Sequence, residues 1–205
     1  MNMFKKILWF DTETTGLNPE KHSIMQFAAL IEEGGQVMDQ INIKFAPLPE
    51  AIVEQSALNL TGTTREELEA RPSAIDAYYQ MIRFLDTHCD KYDKADKFYP
   101  AGYNVRFDLD FLQVFFKACG NLYGIGSYIN WRWLDPLPLL YTMDYSGRLG
   151  LPNYKLETVC EYYGIEIDAH DALSDVRATR ELMHLLLSPT IIPTRNTSCP
   201  VARER

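Results

Sequence analysis

Two acidic side chains, two residues apart, follow a short apolar run near the start of the chain. The run is Ile7-Leu8-Trp9-Phe10, and the acids are Asp11 and Glu13. A short apolar run bounded by polar residues is typical of a strand buried on both faces, along which alternate side chains share one side. Carboxylates held that close resist joint ionisation, and Mg²⁺ or Mn²⁺ relieves the conflict by taking oxygen ligands. The pattern predicts half of a metal site; the alternative is a turn whose polar side chains bond only the backbone.

Two further acids, Asp108 and Asp110, stand near the start of a helix predicted for about residues 106–118. Two positions apart on a helix, they face different ways, so only one can easily join the site. Phe107 and Phe111 fall at helical spacing and are predicted to lie in the core. Asp108, next to that buried stripe, is the predicted ligand. Asp110 is then a solvated acid that complements the helix dipole.

A histidine and an acid mark the start of the last predicted helix, residues 171–187. Asp175, one turn into that helix, can supply a fourth carboxylate, and His170 can act as a base near neutral pH. The spacing alone is weak, because His88 and Asp93 share it at a helix end with no apolar helix behind it. An ordinary surface residue at a helix N-terminus remains the alternative for His170.

The elements that must position these residues form an alternation of strands and helices. Five strands are predicted, the first ending at the Asp11 segment and the others at residues 24–33, 36–45, 97–104 and 131–134. Gly34-Gly35 predicts a hairpin between the second and third, and Pro100 predicts an edge or bulged position for the fourth. The order predicts an α/β fold, a mixed sheet of about five strands flanked by helices.

Length and composition limit the class of protein. The chain has 205 residues, 46% of them hydrophobic, which suits one domain, predicted as residues 1–187, with an extended or disordered tail at 188–205. The net charge of −8 argues against a protein that coats long duplexes. No apolar run approaches the roughly 20 residues that span a bilayer. The four cysteines are far apart, which predicts reduced thiols in a cytoplasmic protein rather than a zinc or disulfide framework. They are Cys89, Cys119, Cys160 and Cys199.

Together, the three acidic segments resemble the DEDDh family of 3′–5′ exonucleases, which includes the proofreading subunits of bacterial DNA polymerase III and the RNase T enzymes. The likeness runs over about residues 5–187, in the family's order, and the His-x₄-Asp spacing indicates its histidine branch. The matching segments are Asp11-Thr12-Glu13-Thr14-Thr15-Gly16-Leu17, Asn104-x-x-Phe107-Asp108-x-x-Phe111-Leu112 and His170-x-Ala172-x-x-Asp175. The resemblance implies the RNase H-like mixed five-stranded sheet flanked by helices.

The resemblance also implies roles for individual residues. The implied ligands of two divalent cations, Mg²⁺ or Mn²⁺, are Asp11, Glu13, Asp108 and Asp175, with His170 as the general base that activates the attacking water. Nucleoside 5′-monophosphates would leave the 3′ end one at a time. The implied contacts with the terminal nucleotide are Thr14, Gly16, Leu17 and Asn104. Thr61 and Thr63 depart from residues common in the family around Gly62, which leaves substrate specificity open.

Several functions stay open at this point. The first expectation is a metal-dependent 3′–5′ exonuclease acting on single-stranded or frayed DNA ends, with RNA as the alternative substrate. A second is a polymerase-associated subunit that binds its partner through the tail, and a third is an inactive binding module of the same fold. A group of aromatic and basic residues either stacks unpaired bases or lies in the core. Its members are Trp131, Trp133, Tyr145 and Arg148.

Overall fold

The computed structural model describes residues 5–168 and 171–188. Its strands are β1 (Ile7–Thr14), β2 (Ile24–Glu33), β3 (Gln36–Lys44) and β4 (Tyr99–Ala101). They form one mixed sheet in the order β3-β2-β1-β4. The α-helices of the described ranges are α1 (Gln55–Thr61), α2 (Arg65–Glu69), α3 (Ala74–His88), α4 (Val105–Ala118), α5 (Pro136–Tyr145), α6 (Leu156–Tyr163) and α7 (Ala172–Leu187).

β1 lies inside the sheet because its backbone pairs on both sides. It runs antiparallel to β2, with Trp9 opposite Leu30, and parallel to β4, with Trp9 opposite Ala101. Gly34 and Gly35 join β2 to β3 at φ values of +62° and +82°, a backbone conformation that residues with a side chain rarely adopt. The predicted hairpin is therefore confirmed, and the apolar run is a central strand whose far end carries the acids.

The side chains of β1 alternate between two helical layers. Leu8 and Phe10 belong to the larger core cluster, to which α3 and α4 contribute. Trp9 belongs to a second cluster, in which Val176 of α7 is buried. Burial on both faces explains why the run is apolar without interruption.

The prediction of a fifth strand at residues 131–134 is wrong. Ile129 and Leu134 make only isolated bridges on the β4 side of the sheet. Between them, the side-chain carbonyl of Asn130 accepts the N–H of Arg132 at 3.1 Å. This local turn engages the N–H of Arg132, which would otherwise be available for a hydrogen bond to a neighbouring strand. The predicted mixed α/β fold is confirmed, with four strands among the described residues and the proline-containing β4 at the sheet edge.

Two further points concern the ends and surface of the molecule. The tail predicted for residues 188–205 lies outside the described residues apart from Ser188, so its division from residues 1–187 stays a prediction. Among the described residues, no helix combines the length and apolar character that crossing a membrane requires.

Candidate metal centre and the adjoining cavity

Three carboxylates from two distant parts of the sequence meet at the end of β1. One oxygen each of Asp11, Glu13 and Asp175 lies within 4.8 Å of the other two, and all three residues are partly buried. Alternation along β1 places Asp11 and Glu13 on the side of Trp9, against which α7 packs. Because Asp175 lies in the first turn of α7, the packing of that helix on β1 brings the third carboxylate to the other two.

Asp108 approaches the same strand from the opposite layer. It lies in the first turn of α4, is 4% exposed, and accepts two hydrogen bonds from Thr12. The Thr12 N–H donates at 3.0 Å and its hydroxyl at 2.6 Å, both to Oδ1 of Asp108. Asp110, by contrast, bonds Arg106 on the helix surface at 2.9–3.0 Å. The predicted division between a buried Asp108 and a solvated Asp110 is confirmed.

The electrostatics of the four acids are those of a crowded anionic site. Burial raises the pKa of Asp11 well above its usual value, and the charges of Asp108, Glu13 and Asp175 raise it further. Burial also raises the pKa of Asp108 to about 7, although the hydrogen bonds from Thr12 oppose that rise. The four carboxylates therefore resist joint ionisation, and a bound cation would relieve that conflict.

The donor set fits a hard divalent cation. All four side chains offer carboxylate oxygens, the ligands that Mg²⁺ and Mn²⁺ prefer over nitrogen and sulfur. The charges of Asp108, Glu13 and Asp175 add to the burial that raises the pKa of Asp11, and bound positive charge would remove that repulsion. Asp11, Glu13 and Asp175 are close enough to share one ion, and Asp108 is close enough for its charge to act on Asp11.

The predicted base lies next to this cluster in the sequence. His170 is outside the described residues, so its role as the base stays a prediction. Asp171, which follows it, caps the N-terminus of α7 by accepting the N–H of Ser174 at 3.1 Å. α7 therefore begins at Ala172, one residue after the predicted start, with Asp175 in its first turn.

A cavity of about 350 Å³ opens beside the carboxylates. Its lining includes Glu13 and three of the four residues predicted to contact the nucleotide, Thr14, Gly16 and Leu17. The fourth, Asn104, is not among the lining residues. It begins α4 in a left-handed conformation (φ 56°), and its N–H donates to Asp135 at 3.1 Å.

Other lining residues, among them Phe107, Leu60 and Glu54, were not predicted for this role. Phe107 was assigned to the core; it is partly buried, and its ring centre lies 4.9 Å from that of Phe111, so it belongs to both the core and the cavity wall. Leu60 is 59% exposed on α1, and Glu54 occupies the N-cap position of the same helix. Nothing in the spacing of these residues indicated a cavity, because it forms only when α1 and α4 approach the end of β1.

The aromatic group of the sequence analysis does not lie in the core. Trp131 is 76% exposed, Trp133 46% and Tyr145 94%. The guanidinium of Arg132 stands 5.0 Å from the centre of the Trp131 ring. The interpretation of these residues as core is therefore wrong, and base stacking stays a prediction.

Comparison with known proteins relates this geometry to a family. The RNase T family model, described as an exonuclease, matches residues 8–183. The PolC-type DNA polymerase III of Thermotoga maritima is 30% identical over 173 residues, covering 84% of this chain and 11% of that protein. The Bacillus subtilis protein of the same name is 29% identical over 182 residues, covering 87% of this chain and 11% of that protein. The chain spans about a tenth of the length of these curated relatives.

A solved structure gives the same assignment through its fold. Escherichia coli exonuclease I in complex with a dT13 oligonucleotide is 26% identical, with a TM-score of 0.71, over 89% of this chain and 41% of that one. The mixed sheet and its flanking helices are therefore those of an RNase H-like exonuclease. Because the family model spans well over half of the sequence, the chain belongs to the exonuclease family, among the DnaQ-like 3′–5′ exonucleases.

Proposed function

We propose that the chain is a metal-dependent 3′–5′ exonuclease that releases nucleoside 5′-monophosphates from single-stranded or frayed DNA ends. The observation that carries this proposal is the convergence of Asp11, Glu13 and Asp175 within 4.8 Å, in a chain of the exonuclease family. Grouped carboxylates of this kind support phosphodiester hydrolysis assisted by divalent cations. The adjoining cavity is within the range of small-ligand sites, about 300–1,000 Å³.

Each acidic residue has a part in this proposal. The ligands of two cations, Mg²⁺ or Mn²⁺, would be Asp11, Glu13, Asp108 and Asp175. Bound cations would supply Lewis-acid assistance to the attack of water and stabilise the charge on the departing 3′-oxygen. His170 would accept the proton of the attacking water, since an imidazole titrates near neutral pH. Thr12 would hold Asp108 in place through the two hydrogen bonds to its Oδ1.

The cavity would receive the terminal nucleotide. Leu17 is 79% exposed at the cavity and offers apolar contact to a base, and Phe107 and Leu60 extend that apolar surface. Thr14 and Gly16 also line the cavity, as Glu13 does. The scissile phosphate would lie beside Glu13. Asn104 would act from the start of α4, outside the lining itself.

DNA is the first choice of substrate because of the relatives. Two of them are named as DNA polymerase III chains, and the solved neighbour holds a deoxythymidine oligonucleotide. RNA remains the alternative, since a pocket that rejects or requires the 2′-hydroxyl is not evident from the lining residues.

A gel time course tests the activity. Matched 5′-labelled single-stranded DNA and RNA oligonucleotides would be incubated with Mg²⁺, Mn²⁺ or EDTA and with wild type, Asp11→Ala or Asp110→Ala. A metal-dependent ladder that shortens from the 3′ end, present with wild type and Asp110→Ala and absent with Asp11→Ala, is expected. The faster substrate identifies the preferred sugar. No ladder with either substrate and either metal would favour the binding-module alternative.

The role of His170 needs a separate variant. His170→Ala is expected to reduce the turnover number by about 10²–10⁴, the contribution of general-base catalysis, while metal affinity stays near the wild-type value. The metal affinity would be measured by Mn²⁺ titration. A collapse of metal affinity in this variant would make His170 a ligand instead of a base.

A second candidate function is association with a polymerase. The curated relatives are polymerase chains, of which this sequence matches 11%. We infer that the segment after α7 would then be the peptide that binds the partner. Deletion of residues 188–205 is expected to abolish co-purification with the polymerase and to leave oligonucleotide degradation unchanged. Loss of both would show that the segment is needed for the fold.

We also propose a cytoplasmic location, on the state of the thiols. Cys89, Cys119 and Cys160 are free in the described chain. Burial raises the pKa of Cys89 and Cys119 to about 11, so both are protonated and unreactive at neutral pH. Unchanged activity with and without a reducing agent is expected.

A further inference from the structure

His22 is buried beneath one wall of the nucleotide cavity. Its side chain is 7% exposed, although it follows an exposed turn. A Cβ placed on Gly16 would lie 2.4 Å from Cδ2 of the His22 ring, far inside van der Waals contact. The imidazole thus occupies the space that a side chain at Gly16 would need. Gly16 lines the cavity, so the ring supports the cavity wall from behind.

The two ring nitrogens of His22 join both sides of the cavity. Nε2 lies 3.1 Å from Oε1 of Glu54, which lines the cavity and occupies the N-cap position of α1. Nδ1 accepts the N–H of Asn18, the residue after Leu17, at 3.0 Å. Nδ1 also lies 3.0 Å from the carbonyl oxygen of Asn18, so the ring contacts the Asn18 backbone on one side and the Glu54 carboxylate on the other.

The surrounding backbone bonds make this connection rigid. The N–H of Glu54 donates to the carbonyl of Thr15 at 2.9 Å, and the Thr15 hydroxyl donates to the carbonyl of Ile52 at 2.7 Å. The second carboxylate oxygen of Glu54 accepts the hydroxyl of Ser56, another lining residue, at 3.2 Å. These bonds join the loop from Thr14 to Asn18 to the start of α1, and the His22 ring adds a side-chain contact between the two segments.

We propose that His22 is a positioning residue for the terminal nucleotide of the substrate, holding the Gly16 side of the cavity at a fixed distance from the Glu54 side. This inference rests on the proposed exonuclease function. His22 forms hydrogen bonds with Asn18 and Glu54, neither of which belongs to the proposed metal site. The reaction would take place at the metal-site carboxylates. Loss of the ring should thus weaken substrate binding and leave the chemical step nearly unchanged.

Steady-state kinetics on a 5′-labelled single-stranded DNA oligonucleotide separate the two effects. His22→Ala is expected to raise KM about tenfold, the factor given by loss of one charge-assisted hydrogen bond, with kcat within about twofold of wild type. His22→Gln, which retains a donor for Glu54, should recover most of the wild-type KM. His88→Gln is the matched control, because His88 also pairs with a carboxylate, Asp39 at 2.9 Å, away from the cavity lining.

A double variant tests the steric contact directly. Gly16→Ala alone should raise KM, because its methyl group must displace the His22 ring. In the His22→Ala background the same substitution should add little, since the ring is gone. Additive increases in KM would contradict the proposal. A fall in kcat at constant KM, or a lower melting temperature at wild-type KM, would also overturn it.

Binding of dTMP in the presence of Mg²⁺, followed by calorimetry, separates this inference from the function on which it rests. Weaker dTMP binding by His22→Ala than by wild type is expected. If His22→Ala and His22→Gln both kept the wild-type dTMP affinity and the wild-type KM, the positioning role of His22 would be overturned and the proposed exonuclease function would not. A wild type that binds dTMP but shortens no oligonucleotide would overturn the proposed exonuclease, and the dTMP affinities would then decide the role of His22.

Discussion

Thr12 and Asp108 are 96 positions apart in the sequence and joined by two hydrogen bonds to a single oxygen, at 3.0 and 2.6 Å. Thr12 is the residue between the two acids of β1, and its side chain faces the opposite layer. The bond therefore connects the strand that carries Asp11 and Glu13 to the helix that carries Asp108. It orients the Asp108 carboxylate and stabilises its charged form.

Removing the Thr12 hydroxyl should weaken metal binding. In Thr12→Val the backbone bond to Asp108 remains, but the shorter bond is lost and the pKa of Asp108 rises above its value of about 7. We expect the affinity for Mn²⁺ at pH 7 to fall about tenfold, whereas Thr12→Ser should retain it. Calorimetric titration with Mn²⁺ measures both.

Thr87→Val is a suitable control for that experiment. Its hydroxyl donates at 2.7 Å to a carbonyl within α3, on the surface. This variant should bind Mn²⁺ as wild type does. Equal affinity in Thr12→Val and wild type would mean that the orientation of Asp108 does not matter to the site.

Asp11→Asn should stabilise the metal-free protein while abolishing turnover. The pKa of Asp11 is raised in the folded state, so its favourable contribution to stability is present below its unfolded pKa of about 4 and is lost as pH rises through the folded pKa. Metal-free wild type should lose stability as pH rises above about 4, and the variant should lose less. In EDTA at pH 7.5 we expect a melting temperature higher by about 2–4 °C, corresponding to about 1 kcal/mol. A lower melting temperature would contradict carboxylate repulsion as the dominant effect.

Metal binding should release protons. Because Asp11 and Asp108 have raised pKa values, the metal-free site retains a proton near pH 7 that a cation must displace. Calorimetry in buffers of different ionisation enthalpy is expected to show release of about one proton per site at pH 6.5 and less at pH 8.5. Asp110→Asn, which alters a surface pair with Arg106, should leave the release unchanged. Release that is independent of pH would argue against a retained proton.

Features of this site that depend on local sequence patterns could be predicted from the sequence, whereas features that depend on contacts between distant segments could not. Alternation along β1 and the buried stripe of α4 are local patterns, and they sufficed to predict that Asp108 is buried and Asp110 solvated. The cavity depends on which helices meet, so Phe107 could be placed in the core from its spacing while its role in the cavity wall went unrecognised. The fifth strand failed for a local reason, because an asparagine turn at Asn130 competes with the ladder.

Glu32 should set the acid stability of the fold, away from the candidate active site. It is 3% exposed at the end of β2, and its Oε2 accepts from Trp9 at 3.1 Å, Arg180 at 2.5 Å and His184 at 3.0 Å. Burial alone would raise the pKa of Glu32, but the hydrogen bonds from His184 and Arg180 hold it below its usual value. A lowered pKa contributes stability that is present above the unfolded pKa of about 4.3 and is lost as pH falls through the folded pKa.

Glu32→Gln should therefore destabilise the protein most at neutral pH and least in acid. The amide keeps the shape of the side chain but removes the charge that faces Arg180, and we expect a loss of roughly 1–3 kcal/mol at pH 7. Urea unfolding at pH 7 and pH 3.5 measures the difference, with Glu33→Gln as the control because Glu33 is the exposed neighbour on the same strand. The gap between the Glu32→Gln variant and wild type should narrow at pH 3.5, because below about pH 4.3 the unfolded chain takes up a proton at Glu32 more readily than the folded protein does. A gap of the same size at both pH values would mean that packing at this position, rather than the charge of the carboxylate, holds α7 against the sheet.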